Sequence, residues 1–187
     1  MDWMNQLSGV LQQYTGTAAA QAPTTVNDDF DQIAQSAPQS ALADGLAADF
    51  RSDQTPDFGQ MAAQLFSNSG GQQRAGILNT LLRAAGPMIL SQVLSRKAQT
   101  EGGGGLSSLI DLLSGGQQTQ VTPEQAEQIP ADAVEEIAAQ AEKKDPSVID
   151  QVSNFYAEHP TLVKTLGAAA LTIALAKIAE RQQGSGS

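Results

Sequence analysis

Leu166-Gly167-Ala168-Ala169-Ala170-Leu171-Thr172-Ile173-Ala174-Leu175-Ala176 carries no charge and is bracketed by Lys164 and Lys177. The stretch predicts a helix running from Thr161 to about Gln182. Its uncharged run falls short of the roughly 20 residues a membrane-spanning helix needs. Including the flanks reaches that length only if both lysines snorkel. A helix apolar on nearly every side has to be covered on nearly every side. Three covers are open: the rest of the chain, which makes this the central core helix of the second half; a second copy of the chain; or lipid. Gly167, Ala168, Ala169, Ala170 and Ala174 are small enough to let another helix approach closely. The fold class that follows is all-α.

Upstream of this helix, His159-Pro160 marks a break. Asp145-Pro146 starts a helix bearing Val148, Ile149, Val152, Phe155 and Tyr156. Before it, Pro130-Ala131-Asp132 starts one bearing Val134, Ile137, Ala138 and Ala141. Thr122 is a good cap, and Pro123 suits the first helical position, where its missing N–H costs nothing. Two glycine-rich joints, Glu101 to Gly105 and Gly115 to Gln118, flank a short helix over Leu106 to Leu113.

The first half reads the same way. Trp3, Met4, Leu7, Val10, Leu11 and Tyr14 recur at helical spacing, and the Ala, Gln, Pro and Thr of Thr17 to Thr25 read as a linker. Asn27 or Asp28 caps a helix with Phe30 and Ile33, and Ala41, Leu42, Leu46 and Phe50 stripe the next. Thr55-Pro56-Asp57 starts a third, presenting Phe58, Met61, Ala62, Leu65 and Phe66 and ending at Asn68 to Gly71. Over Gln72 to Gln99, Ile77, Leu78, Leu81, Leu82, Ala85, Met88, Ile89 and Val93 share a face. Gly86-Pro87 inside that pattern predicts a kink or break, because proline lacks the helical donor and clashes with the preceding turn.

The halves echo one another. Val26-Asn27 followed by Gln32-Ile33 parallels Val121-Thr122 followed by Gln128-Ile129. Pro56, Phe58, Ala62, Leu65 and Phe66 match Pro146, Val148, Val152, Phe155 and Tyr156 in spacing. The expected organisation is therefore a bundle of about seven to nine mostly short helices in two similar units. An amphipathic helix and linker occupy 1–25, the first unit 26–98, a glycine-rich linker with a short helix 99–120, the second unit 121–182, and a Gly-Ser tail 183–187.

Composition narrows the chemistry. The net charge is −10, with acidic residues concentrated in Asp28 to Asp57 and Glu124 to Asp145. Such a chain repels phosphate, so nucleic acid is not an expected partner. Without cysteine there is no disulfide, thiol nucleophile or cysteine zinc site. The single histidine, His159, has no second ligand or nucleophile near it in sequence, and a capping or surface role is expected. Asp28, Asp29 and Asp31 lack the glycine and distal glutamate of a helix-loop-helix calcium loop. No Gly-Lys-Ser/Thr follows Gly102 to Gly105, and no Gly-x-Ser-x-Gly elbow precedes the tail. No enzyme activity, cofactor or metal is expected. The amino terminus lacks the basic start and apolar run of a secretory signal, which leaves the cytoplasm as the expected location.

The segment Val121-Thr122-Pro123-Glu124-Gln125 through Ile129, Ala133-Val134 and Ile137-Ala138, with Leu106-Ser107-Ser108-Leu109-Ile110 before it, resembles the YidB-like family of small bacterial proteins. The likeness covers roughly residues 70 to 180. It implies a compact set of short helices and no established catalytic residue. The acidic first third and Phe155 to Lys164 depart from the family pattern.

The function these features lead to is non-enzymatic interaction or assembly, with the chain associating with itself or another protein through an apolar helix face. Leu166, Gly167, Ala170, Ile173 and Ala174 form one candidate surface, and Leu78, Leu82 and Met88 a second. A homo-oligomer is expected. The alternative is peripheral membrane association through Trp3, Met4, Leu7 and Leu11 or through the carboxy-terminal helix, although the acidic charge opposes anionic bilayers.

Overall fold

A computed structural model describes residues 3–15, 23–101, 104–115 and 120–184. Among them are twelve α-helices and no strand, so the chain is all-α, with more and shorter helices than the seven to nine expected. They are α1 (Trp3–Gln12), α2 (Val26–Ser36), α3 (Gln39–Phe50), α4 (Phe58–Ser67), α5 (Gly71–Ala85), α6 (Pro87–Glu101), α7 (Gly104–Ser114), α8 (Pro123–Glu127), α9 (Ala131–Lys144), α10 (Val148–Ala157), α11 (Pro160–Val163) and α12 (Ala168–Gly184).

The chain divides into two compact units, but not where the glycine-rich stretch suggested. One is contiguous, Asp57–Val152; the other joins the chain up to Pro56 with the chain from Ser153 on, so the division falls inside α10. The boundaries 26–98 and 121–182 therefore do not describe the packing. Of the stretches that echo each other in sequence, Val26 to Ile33 lies in the discontinuous unit and Val121 to Ile129 in the contiguous one, whereas Phe58 to Phe66 and Val148 to Val152 share the contiguous unit. Periodicity tells which face of a helix is buried, and it does not tell which helix covers that face.

In the contiguous unit α4 lies along α9, α5 packs on α8 and α9, α6 on α9, and α7 on α6. The stripe Phe58, Met61, Ala62, Leu65 and Phe66 is buried as read from its spacing, and so is its counterpart Val134, Ile137, Ala138 and Ala141. Gly59 sets the separation. A Cβ there would sit 2.7 Å from the Glu135 carbonyl oxygen, so only glycine lets the two backbones meet.

Polar groups finish the helix ends in this unit. Thr122 Oγ1 accepts from Gln125 N, and Gln125 Oε1 accepts from Thr122 N, forming a capping box ahead of Pro123. Asn79 holds Val121 from α5, donating to its carbonyl at 3.1 Å and accepting from its N–H at 2.6 Å. Arg74 donates to the carbonyls of Phe66, Ser67 and Ser69, where α4 ends, with its guanidinium 5.1 Å from the Phe66 ring. Arg96 and Lys97 pair with Glu136 and Asp132 of α9. The Lys97 hydrogen bond holds the Asp132 carboxyl below the usual carboxylate range.

In the discontinuous unit α12 packs on α3, α2 and α1. Leu171, Ala174, Leu175 and Ile178 are buried, and so are Leu42 and Leu46 of α3. The chain itself covers much of the apolar stretch, but it does so with α1, α2 and α3 of the first half, so α12 is not the core helix of a second-half unit. Gly45 again fixes the distance, because a Cβ there would meet Ile178 Cγ1 at 2.6 Å and the Ala174 carbonyl at 3.0 Å. Lys164 pairs with Asp31 at 2.6 Å, and Arg181 pairs with Asp44. Tyr14 is fully buried and donates to Asp29 Oδ2 at 2.6 Å, which also accepts from Thr25 Oγ1 at 2.9 Å.

One expectation is corrected here. The last helix is not continuous from Thr161. The chain forms α11, a 3-10 turn over Lys164–Leu166, and then α12, breaking at Gly167 where φ is 97°.

Two outcomes follow. Residues 57–152, expressed alone, are expected to unfold cooperatively on heating with helical circular dichroism; a non-cooperative melt would show that this unit depends on the rest of the chain. Gly59→Ala is expected to cost about 1 to 3 kcal/mol in urea unfolding, as overpacking does when the neighbour is backbone.

Candidate functional site

The sequence nominated two apolar surfaces, and the structure divides each into a buried part and an exposed part. Leu78 and Leu82 are buried in the contiguous unit, while Met88 on the same pattern is 80% exposed. Ala170, Ile173 and Ala174 are buried in the discontinuous unit; Gly167 is exposed and Leu166 half-buried. Leu7 and Leu11, nominated for membrane contact, are buried too, so that face of α1 is already in use. The side chains of Trp3 and Met4 lie outside the described residues.

What remains exposed in both cases surrounds a glycine bend. α5 and α6 meet at 117° across Gly86; α11 with its 3-10 turn meets α12 at 119° across Gly167. Gly86 has φ 87° and ψ 160°, Gly167 φ 97° and ψ 168°. That region of backbone space is essentially closed to residues with a Cβ. Around Gly86 the first helix is closed by Gly86 N donating to Leu82 O at 2.8 Å and by Lys144 Nζ donating to Ala85 O at 2.7 Å. A cation at this carbonyl-rich end also suits the helix dipole. Pro87 then opens α6 in the position that tolerates it. Around Gly167 its N–H donates to Lys164 O at 3.3 Å, and Leu171 N donates to Gly167 O at 3.1 Å to start α12.

Each bend carries an apolar turn facing water. At the first, Pro87 and Met88 are exposed and Ile89 half-exposed before Leu90 turns into the core. At the second, Ala168 and Ala169 are exposed before Ala170 turns in. Met88 is the largest side chain on either turn. Leu112 of α7, 40% exposed, is a further exposed apolar residue that the sequence reading missed. Leu106, Leu109 and Leu113 form the buried stripe of its helix, and Leu112 lies off that stripe beside Asp111.

The polar groups are arranged otherwise. His159 stacks on Phe155, with ring centroids 4.9 Å apart, and its Nδ1 lies 3.0 Å from the Phe155 carbonyl oxygen. It precedes α11 without capping it through its side chain. Asp29 and Asp31, once weighed as cation ligands, are engaged with Tyr14 and Lys164. No group of three or more His, Cys, Asp or Glu able to hold a metal occurs among the described residues. Burial foremost, and then the hydrogen bond to Asp29, raises the Tyr14 phenol above its ordinary range.

Asp49 is the exception. It is 0% exposed, and neither of its carboxyl oxygens has a hydrogen-bond partner. Burial pushes its carboxyl up from 3.8 to about 8. Sequence gave no sign of this, since it sits among other acids expected to be solvated. Beside it, an open groove of about 620 Å³ separates Ala48, Arg51 and Gln54 from Ile173, Ala176 and Lys177 of α12.

No helix among the described residues is long and apolar enough to cross a membrane by itself; only the two bent pairs reach that length and composition together. Comparison with known protein families, curated proteins and solved structures returns no match.

Gly86→Ala and Gly167→Ala are each expected to lose about 1 to 3 kcal/mol in chemical denaturation, the cost of forcing a Cβ into that backbone region. Gly9→Ala in α1, where a Cβ meets nothing within 4 Å, is the control and is expected to gain roughly 0.5 to 1 kcal/mol.

Proposed function

We propose that this chain is a non-enzymatic assembly protein that associates with a second copy of itself, or with another protein, through the apolar turn at the Gly86 bend. The exposure of Met88 carries the reading. A lone exposed apolar residue is ordinary on a protein surface. Here the residue is held out, with Pro87 and Ile89 beside it, at a glycine bend whose first helix is closed by the Lys144 ammonium. Methionine is also the side chain best able to adapt its shape to a partner's surface. The acidic charge supports a protein partner over nucleic acid, and the likeness to YidB-like proteins points the same way, to a helical chain with no established catalytic residue.

The second reading is peripheral membrane contact through the two bent helix pairs. Their apolar turns and combined length favour it, and the net charge of −10 opposes it on anionic lipid. Peripheral contact through Leu7 and Leu11 of α1 is disfavoured by their burial.

Light scattering coupled to size exclusion tests the proposal. The wild type is expected to show a mass above the monomer at micromolar concentration, and Met88→Lys to weaken that association at least about tenfold, as the loss of a central apolar contact does. A wild type that stays monomeric and floats with neutral liposomes would replace assembly with the membrane reading.

A further inference from the structure

Asp49 occupies the last turn of α3, and it stands without an electrostatic reason to be there. The charged groups of its own neighbourhood are Asp44, Arg51 and Asp53. Those of α12, the helix packed on α3, are Lys177, Glu180 and Arg181. Lys177 pairs with Glu180 at 2.9 Å, and Arg181 pairs with Asp44. Neither carboxyl oxygen of Asp49 has a hydrogen-bond partner, and burial is the cause of its altered affinity for a proton. Its position at the carbonyl end of a helix, the negative end, also disfavours a carboxylate.

The packing around it is uneven. Toward the middle of α3, Gly45 brings the helix against Ala174 and Ile178 of α12 with no room for a Cβ. Toward the end, Ala48, Arg51 and Gln54 stand off from Ile173 and Ala176 across the open groove. Asp49 lies one helical turn beyond Gly45 and next in sequence to Ala48, which lines the groove, while its own side chain stays buried behind that lining. Just beyond, Thr55 Oγ1 donates to the Asp49 carbonyl at 2.7 Å and to Ser52 O at 3.1 Å, tying the following turn to the same residue. Any movement of Asp49 therefore moves that turn.

We infer that Asp49 is a proton-operated latch on the end of α3. With the proton on, the neutral acid lets the last turn of α3 stay seated beside α12. With the proton off, the carboxylate is drawn toward water in the groove, the turn from Phe50 to Thr55 follows it, and Ile173 and Ala176 of α12 are uncovered. The direction follows from linkage. Asp49 in the folded chain keeps its proton up to about pH 8, while the unfolded chain loses it near 3.8. Between those values the folded state binds more protons, so the closed arrangement weakens as pH rises, by up to tenfold per pH unit, and levels off above the folded value.

Amide hydrogen exchange of the whole chain, corrected for intrinsic rates, tests this between about pH 5 and about pH 9. Wild-type protection at 46–55 and 171–177 is expected to fall at least about tenfold more than protection in α2. Asp49→Asn, which keeps the shape and removes the charge, is expected to abolish the difference. Asp49→Leu serves if the amide variant does not fold. A wild-type loss spread evenly over the unit, no loss at all, or the same local loss in a folded neutral variant would each overturn the latch. The wild-type profile decides the matter even if neither variant folds.

Discussion

Close helix approach is the constraint on which this fold depends. The chain's apolar content is rich in alanine and poor in aromatics, so each residue buried removes little surface from water. Helices carrying such faces gain enough contact only when their axes come near each other. Glycine makes that possible at one point in each unit: Gly45 against Ala174 and Ile178, and Gly59 against the Glu135 carbonyl. The larger side chains then fill what the small ones leave, Phe58, Met61, Leu65 and Phe66 around one contact and Leu42, Leu46, Leu171 and Leu175 around the other.

A second consequence of short, small-residue helices is that their ends matter as much as their faces. Each helix end leaves unpaired backbone groups, and twelve helices multiply the problem. The chain meets it with side chains brought from elsewhere in the same unit: Arg74 on the carbonyls that end α4, Lys144 on Ala85, and Asn79 on Val121 ahead of α8. At Gly86 and Gly167 glycine itself turns the chain, and the residues just past the turn have no core to enter. Part of the exposed apolar surface therefore gathers at these two bends, in Pro87, Met88, Ala168 and Ala169, while Leu112 on α7 lies away from both.

Much of the local structure was legible in the sequence because it depends on neighbours three and four residues away. The stripe from Phe58 to Phe66, the Thr122 cap and the break at Gly86-Pro87 all follow from such spacing, and all appear in the structure. Gly167 escaped the same treatment. Alanines on both sides favour helix, and nothing local states that this glycine adopts a positive φ. Partner choice was also illegible. The stripe on α3 fits any small-residue helix, so the sequence could not say that α12, from the far end of the chain, would cover it. Of the candidate surfaces, the spacing grouped Met88 with Leu78 and Leu82 across the break that Gly86-Pro87 announces; the spacing does not give the 117° of the bend, which leaves Leu78 and Leu82 buried and Met88 in water.

The two buried aspartates show how context outweighs residue type. Asp29 and Asp49 lie in the same unit and in the same acidic stretch of sequence. Asp29 accepts from the Tyr14 phenol and the Thr25 hydroxyl, two donors that satisfy a carboxylate and join α1 to α2. Asp49 meets no donor. An unpaired carboxylate in such a place costs far more than a neutral acid, so the group answers by keeping its proton. Burial that leaves Asp29 a fixed structural link makes Asp49 a point where a change of pH reaches the packing of α3 on α12. A residue serving only packing at that position would have been apolar, as its neighbours Ala47, Ala48 and Phe50 are.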